Sequence, residues 1–288
     1  DCLLSRGLGD VYKRQEYVER YENLAEFLTK RGILVTGEDH LGHGKSVSEG
    51  GSFGYFCEQD PATVVVRDVH RLKKITEEQY PQVPYIILGH SMGSFIARNY
   101  LCRYGSGIGG AVIVGTGMQP AGLIFASKAM AGIQKLFCGS KHVSHFIDKA
   151  AFGGYNKRID SPRTSSDWLS RNTENVDRYI EDELCGFTFT VNGFQTLFEL
   201  IRRLQKQENL EKVPQNLPIL MVSGAEDPVG DYGKGVHKAC DSLKRAGVKN
   251  ITVKLYENDR HELLNEDDAE VAMEDIWQWI CKEIPGIA

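Results

Sequence analysis

The chain contains no C-x-x-C pair, and its seven cysteines (Cys2, Cys57, Cys102, Cys138, Cys185, Cys240 and Cys281) are odd in number and scattered. That usage argues against a structural zinc and against a disulfide framework, and it points to a reduced, cytoplasmic compartment. No apolar run approaches the roughly 20 residues that span a bilayer as a helix. No Lys/Arg cluster occurs and the formal net charge is −5, so the chain offers no basic field for nucleic acid. Internal repeats, low-complexity segments and interdomain linkers are also lacking. What is present is 288 residues, 41% hydrophobic and 25% charged, enough to bury a sizeable core as one α/β domain with an insertion.

One stretch organises the rest. Pro84 to Ser94 reads P-Y-I-I-L-G-H-S-M-G-S. Tyr85 to Leu88 is a short apolar run of the kind expected for a strand buried on both faces. Gly89, His90, Ser91, Met92 and Gly93 then form a G-x-S-x-G pattern, and Phe95, Ile96, Ala97, Tyr100 and Leu101 recur at helical spacing. A sharp strand-to-helix turn strains the central serine, requires small residues two before and two after it, and lifts the hydroxyl above the sheet. The N–H groups at the helix start would lie beneath a developing oxyanion.

Alternating strands and helices flank this stretch. Val18, Tyr21, Leu24, Ala25 and Leu28 mark a helix ending near Gly32, and residues 32 to 35 read as a strand. Asp60-Pro61 is an N-cap and first-turn pair opening a helix with Val65, Val66, Val69, Leu72 and Ile75 inward. Gly110 to Val114 is a further buried strand. The pattern resumes with Ile219 to Val222, a helix over 233–246, the strand Ile251 to Tyr256 and a closing helix over 269–284. These elements predict a mostly parallel sheet with helices on both faces, made of residues 16–119 and 216–288. Residues 120–215 carry helical patterns over 124–137, 143–152, 166–179 and 193–204 without a convincing strand, and are expected to form an all-helical cap.

A serine hydroxyl needs a base to take its proton, and an acid to hold that base. In an open parallel sheet such groups are sought just after the strands. Ser223-Gly224-Ala225-Glu226-Asp227-Pro228 follows one late strand, and Glu257-Asn258-Asp259-Arg260-His261 follows the other. The expected set is therefore Ser91, Asp227 and His261. Glu226 is the rival to Asp227, which is favoured because Pro228 fixes its turn, and Asp259 reads as a turn residue. His40 and His43 read as loop-stabilising hydrogen-bonders. His142 and His145 lack a third ligand and read as a solvated cap face, so no metal and no cofactor is expected. His90 is expected to pack or hydrogen-bond locally, and Cys102 and Cys240 to sit in helices.

The motifs G-H-S-M-G-S (89–94), D-H-L-G-H-G-K-S (39–46), S-G-A-E-D-P-V (223–229) and R-H-E-L-L-N-E (260–266) resemble the α/β-hydrolases of the monoacylglycerol lipase and lysophospholipase type, often labelled serine aminopeptidase-like. The order Ser, Asp, His is theirs. The resemblance runs from about residue 16 to the C-terminus and is weakest across the cap. It implies Ser91 as nucleophile, His261 as general base and then acid, Asp227 as its orienting carboxylate, and the Met92 N–H as one oxyanion donor. Family members commonly carry Arg where Leu41 stands. They also have a central strand ending in His-Gly, whose loop provides a second oxyanion N–H. Here R-G-L-G-D-V-Y-K-R-Q (6–15) has neither His-Gly nor an apolar run. Residues 1–15 are accordingly expected to be non-native or disordered, with the N-terminal strands missing and the strands at Val35 and Ile87 left without a partner between them.

The functional expectation is a carboxylic ester hydrolase acting on a small lipid or ester, monoacylglycerol or lysophospholipid-like, with a transient membrane-surface contact through the cap. Phe125, Phe137, Phe187, Phe189 and Phe194 are the expected substrate-lining residues. The alternatives are a small-ligand-binding homologue that keeps the triad, and an N-terminally truncated, inactive fragment.

Overall fold

The computed structural model describes residues 6–11, by backbone, and 16–286. Its strands are β1 (Arg6–Val11), β2 (Ile33–Gly37), β3 (Tyr85–His90), β4 (Gly110–Val114), β5 (Ile219–Gly224) and β6 (Ile251–Tyr256). They form a sheet in the order β2-β1-β3-β4-β5-β6, and every pairing is parallel.

Successive side chains along a strand face opposite ways, and here both faces are covered. Ile86, Leu88, Val112, Val114, Leu220 and Val222 pack under α1 (Glu22–Thr29) and α10 (Ala269–Glu283). Ile87, Ala111, Ile113, Ile219 and Met221 pack under α2 (Pro61–Gln79), α3 (Met92–Tyr104) and α9 (Lys234–Arg245). The continuous apolar runs at β3, β4 and β5 follow from this double burial.

The expected gap in the sheet is filled. β1 lies between β2 and β3, with Leu8 opposite both Val35 and Ile86. A strand position asks first for backbone donors and acceptors. A segment with two glycines and no apolar run can meet that demand, and for this reason the sequence pattern concealed it.

Between β4 and β5 lie α4 (Ala121–Cys138), α5 (His145–Phe152), α6 (Thr173–Glu181), α7 (Val191–Leu204) and α8 (Gln207–Leu210). One isolated antiparallel bridge, Val143 to Thr190, is the β-pairing recorded there. Three local expectations change. The helix expected over 166–179 breaks into a 3-10 turn, Asp167–Leu169, and α6, with Ser170 extended between them. Asp60 precedes α2 at φ 42° and makes no side-chain cap bond, its carboxylate accepting instead from Arg203 Nη2 at 2.8 Å. Ile75 is 45% exposed rather than inward. Among the described residues no helix is long and apolar enough to cross a membrane.

Candidate active site

The turn between β3 and α3 places Ser91 at φ 55°, ψ −118°, a region that a residue with a Cβ rarely occupies. Small neighbours permit the turn: a Cβ on Gly89 would strike the Gly93 carbonyl and lie 2.8 Å from Ala97 Cβ. The Ser91 N–H donates to the Val114 carbonyl at 3.0 Å, anchoring the turn to β4. Met92 opens α3, so its N–H belongs to a first turn that has no intrahelical acceptor and is available to an anion.

The loops after β5 and β6 meet at this turn. His261 Nε2 lies 2.8 Å from Ser91 Oγ, and His261 Nδ1 lies 2.9 Å from Asp227 Oδ2. With its proton on Nδ1, the imidazole donates to Asp227 and accepts from the Ser91 hydroxyl. Asp227 is itself held, for Val229 N donates to Oδ1 at 2.8 Å and Ser223 Oγ to Oδ2 at 3.2 Å. Asp227 and His261 are fully buried, and Ser91 is 8% exposed. Glu226, the rival acid, is exposed. Asp259 is buried, accepts from Arg171 Nη2 at 2.8 Å, and has its carboxyl pushed up to about 6 by burial and by the charges of Asp268 and Glu266.

Close packing surrounds the imidazole. His90 and Trp168 flank it at ring-centroid distances of 4.8 and 5.2 Å. Gly115, at φ 56°, passes beneath: a Cβ there would lie 3.1 Å from His261 Cε1 and from the His90 ring. His90 does more than pack locally, since its Nε2 meets the His261 carbonyl and its Nδ1 meets Tyr21 Oη at 2.7 Å.

Ser91 opens into a cavity of about 330 Å³ whose walls include Met92, Phe95, Ile124, Met130, Trp168 and Phe198. The five phenylalanines expected to line such a cavity are elsewhere. Phe125 and Phe137 face outward from α4, 77% and 85% exposed. Phe189 and Phe194 are buried in the core, and Phe187 packs against His43 and Phe53. Apolar spacing identifies a helix but leaves open which of its faces meets solvent. The residues sequence reasoning missed include Trp168, in the 3-10 turn that interrupts the helix expected over 166–179, and Gln119, just before α4, where periodicity carries no signal.

His40 and His43 are buried, and His43 Nδ1 lies 3.1 Å from the Leu41 carbonyl. His142 is exposed, and His145 Nδ1 lies 3.2 Å from Thr188 Oγ1. Among the described residues no group of His, Cys, Asp and Glu is arranged to hold a metal ion. Cys102 lies in α3 and Cys240 in α9, as their spacing suggested. The second oxyanion donor expected from the loop after the first strand falls at residues 12–15, outside the described residues.

A doubly covered parallel sheet, with a serine at a strained strand-to-helix turn facing a buried His–Asp pair, defines an α/β-hydrolase. The family model described as Serine aminopeptidase, S33 matches residues 13–268, and the chain belongs to this family. The monoglyceride lipase of Rattus norvegicus is 29% identical over 253 residues, covering 87% of this chain and 73% of that protein. The monoacylglycerol lipase of Mycolicibacterium smegmatis is 26% identical over 270 residues, covering 93% and 85%. In three dimensions the chain resembles a thermostable carboxyl esterase from Bacillus coagulans solved in complex with glycerol, with a TM-score of 0.91 and 28% identity, over 99% of this chain and 91% of that one.

Proposed function

We propose that the protein hydrolyses carboxylic esters of lipid-like substrates, monoacylglycerols in particular, through an acyl-enzyme on Ser91. The observation that carries this reading is the bridge made by His261 between Ser91 Oγ and Asp227, with Ser91 on the wall of an apolar cavity. Ser91 Oγ attacks the ester carbonyl while His261 Nε2 takes its proton. Asp227 stabilises the imidazolium, and the Met92 N–H donates to the oxyanion. The imidazolium then protonates the departing alcohol, and water activated by the same imidazole releases the acid.

Two further observations narrow the substrate. Among the described residues no Lys or Arg lines the cavity, so none of them offers a cation to a phosphate headgroup, which favours a neutral ester over a lysophospholipid. The cavity volume of about 330 Å³ is near the lower end of the roughly 300–1,000 Å³ typical of small-molecule sites, which suits a short or medium acyl chain. The names of the relatives, monoglyceride lipases and a carboxyl esterase, agree with this class. The outward face of α4 and α5, with Phe125, Leu136, Phe137 and Phe146 exposed, is proposed to touch the lipid surface from which substrate is drawn. Cys57, Cys102, Cys138 and Cys240 carry free thiols, which supports a cytoplasmic location.

A fluorophosphonate probe tests the reading. Stoichiometric labelling that disappears in Ser91→Ala is expected, together with turnover of monoacylglycerols across a chain-length series. A folded sample that fails to label overturns it in favour of a small-ligand-binding or inactive homologue.

A further inference from the structure

The loop that carries His261 is fastened to the cap by a set of hydrogen bonds around Arg260, Glu262 and Glu266. Arg260 Nη1 donates to the carbonyls of Asp167 and Ser170 at 2.8 and 3.1 Å. Glu262 N donates to the Leu169 carbonyl at 2.6 Å, and its side chain accepts from Asn175 Nδ2 at 2.7 Å and Arg20 Nη2 at 2.8 Å. Glu266, 5% exposed, is the hub. Its carboxylate accepts from Ser170 Oγ (2.8 Å), Arg171 N (2.9 Å), Asn172 N (3.4 Å) and Arg260 N (2.9 Å). The donors on the cap side come from the break between the 3-10 turn and α6, where the chain runs extended and leaves its N–H groups without helical acceptors. Immediately before that break stands Trp168, which touches the imidazole and forms part of the cavity wall.

We propose that Glu266 is a positioning residue: it clamps cap residues 170–172 to the loop bearing His261, so that the imidazole is aligned on Ser91 only while this part of the cap is docked. Occupation of the cavity and alignment of the base are thereby linked, because Trp168 belongs to both. A carboxylate is required at this position. Every group hydrogen-bonded to it in the structure donates, and a carboxamide would present an NH2 to at least one N–H or O–H. The inference rests on the hydrolase reading for its kinetic consequences, while the alignment itself can be observed without turnover.

The test compares Glu266→Gln with the wild-type full chain. Three quantities are read: kcat and KM on a soluble p-nitrophenyl ester, the rate of fluorophosphonate labelling, and the downfield proton resonance of His261 Nδ1. A misplaced base is expected to lower kcat and labelling by about 10²-fold while KM stays within about threefold. The Nδ1 resonance is expected to broaden or vanish as solvent reaches the imidazole. Ser170→Ala, which removes one donor and keeps the carboxylate, is expected to move both readouts the same way by a smaller factor. Wild-type kcat and an unchanged Nδ1 resonance in folded Glu266→Gln overturn the proposal. If that variant does not fold, the same two results in both Ser170→Ala and Arg260→Met overturn it instead. A wild-type protein that neither labels nor turns over esters counts against the hydrolase reading alone, since the resonance still decides whether Glu266 aligns the imidazole.

Discussion

His90 Nε2 lies 2.9 Å from the carbonyl oxygen of His261, so the residue preceding Ser91, the proposed nucleophile, holds the backbone of the residue that would activate it. Because a carbonyl only accepts, His90 must carry its proton on Nε2, which leaves Nδ1 to meet the Tyr21 hydroxyl. Replacing His90 by Ala removes a buried ring and strands a buried carbonyl. The expected cost is about 2–4 kcal/mol of folding stability. A loss of about 10- to 100-fold in kcat should accompany it as the His261 backbone relaxes. Urea midpoints and ester turnover below the unfolding transition check both.

Asp227 accepts three hydrogen bonds, from His261 Nδ1, Ser223 Oγ and Val229 N, and donates none. Asp227→Asn keeps the shape but sets an NH2 against one of those donors, inviting the imidazole to flip to the tautomer with its proton facing Ser91. The expected loss is about 10⁴-fold in kcat. Combining it with Ser91→Ala should add almost nothing to the serine substitution alone, because the groups act as a unit. Near-additive losses would argue that Asp227 serves the fold and not the chemistry.

Much of this arrangement was legible in the sequence, and the physical reason is topological. Ser91 and Asp227 each follow a strand whose apolar run is readable because both sheet faces are buried. His261 follows the edge strand β6, where Ile251, Val253 and Leu255 alternate with exposed Thr252 and Lys254, and parallel strands place those three ends on one edge. The same logic was blind to β1, whose place depends on backbone pairing with both neighbours and not on an apolar run. It was equally blind to the orientation of the cap helices. On α4, Ile124 and Ala131 turn inward while Phe125 and Phe137 face out, a division made by the packing of α4 against α7 and not by residue type.

Acid–base behaviour next to β2 offers a test away from the site. Burial, reinforced by the charge of Asp68, pushes the Glu38 carboxyl up to about 7. An acid whose folded pKa is raised binds more protons in the folded state than in the unfolded one. Stability therefore falls as pH rises from about 4.5 to about 7. Glu38→Gln should remove that slope and gain about 2 kcal/mol over wild type above pH 7, a figure reduced for the side chain's partial exposure. His40 acts oppositely: burial and the neighbouring His43 charge push it down to about 3, so stability falls as pH drops below 6.5. Urea midpoints of both proteins across this pH range check the prediction; parallel curves would defeat it.

The outward face of α4 and α5 carries the last prediction. Leu136 and Phe137 are 84% and 85% exposed at the end of α4, with Phe146 on α5 nearby and the exposed Lys135 and Lys141 beside them. Large apolar side chains in such a cluster are costly in water, and a lipid surface would relieve them. Leu123, near the start of α4, is 55% exposed and also lines the cavity that holds Ser91, so the helix that carries the exposed cluster at one end forms part of the cavity wall at the other. Each large apolar side chain removed from full burial forfeits about 1.5–3 kcal/mol, and partial insertion recovers only a fraction of that. Leu136→Ser combined with Phe137→Ser should therefore weaken binding to anionic phospholipid vesicles by about tenfold or more, the equivalent of about 1.4 kcal/mol. Turnover of monoacylglycerol presented in those vesicles should fall in proportion. Hydrolysis of a soluble short-chain ester should not change, because neither residue lines the cavity. Equal losses on both substrates would mean that these residues support the cap itself, and vesicle binding indistinguishable from wild type would remove the lipid-surface role.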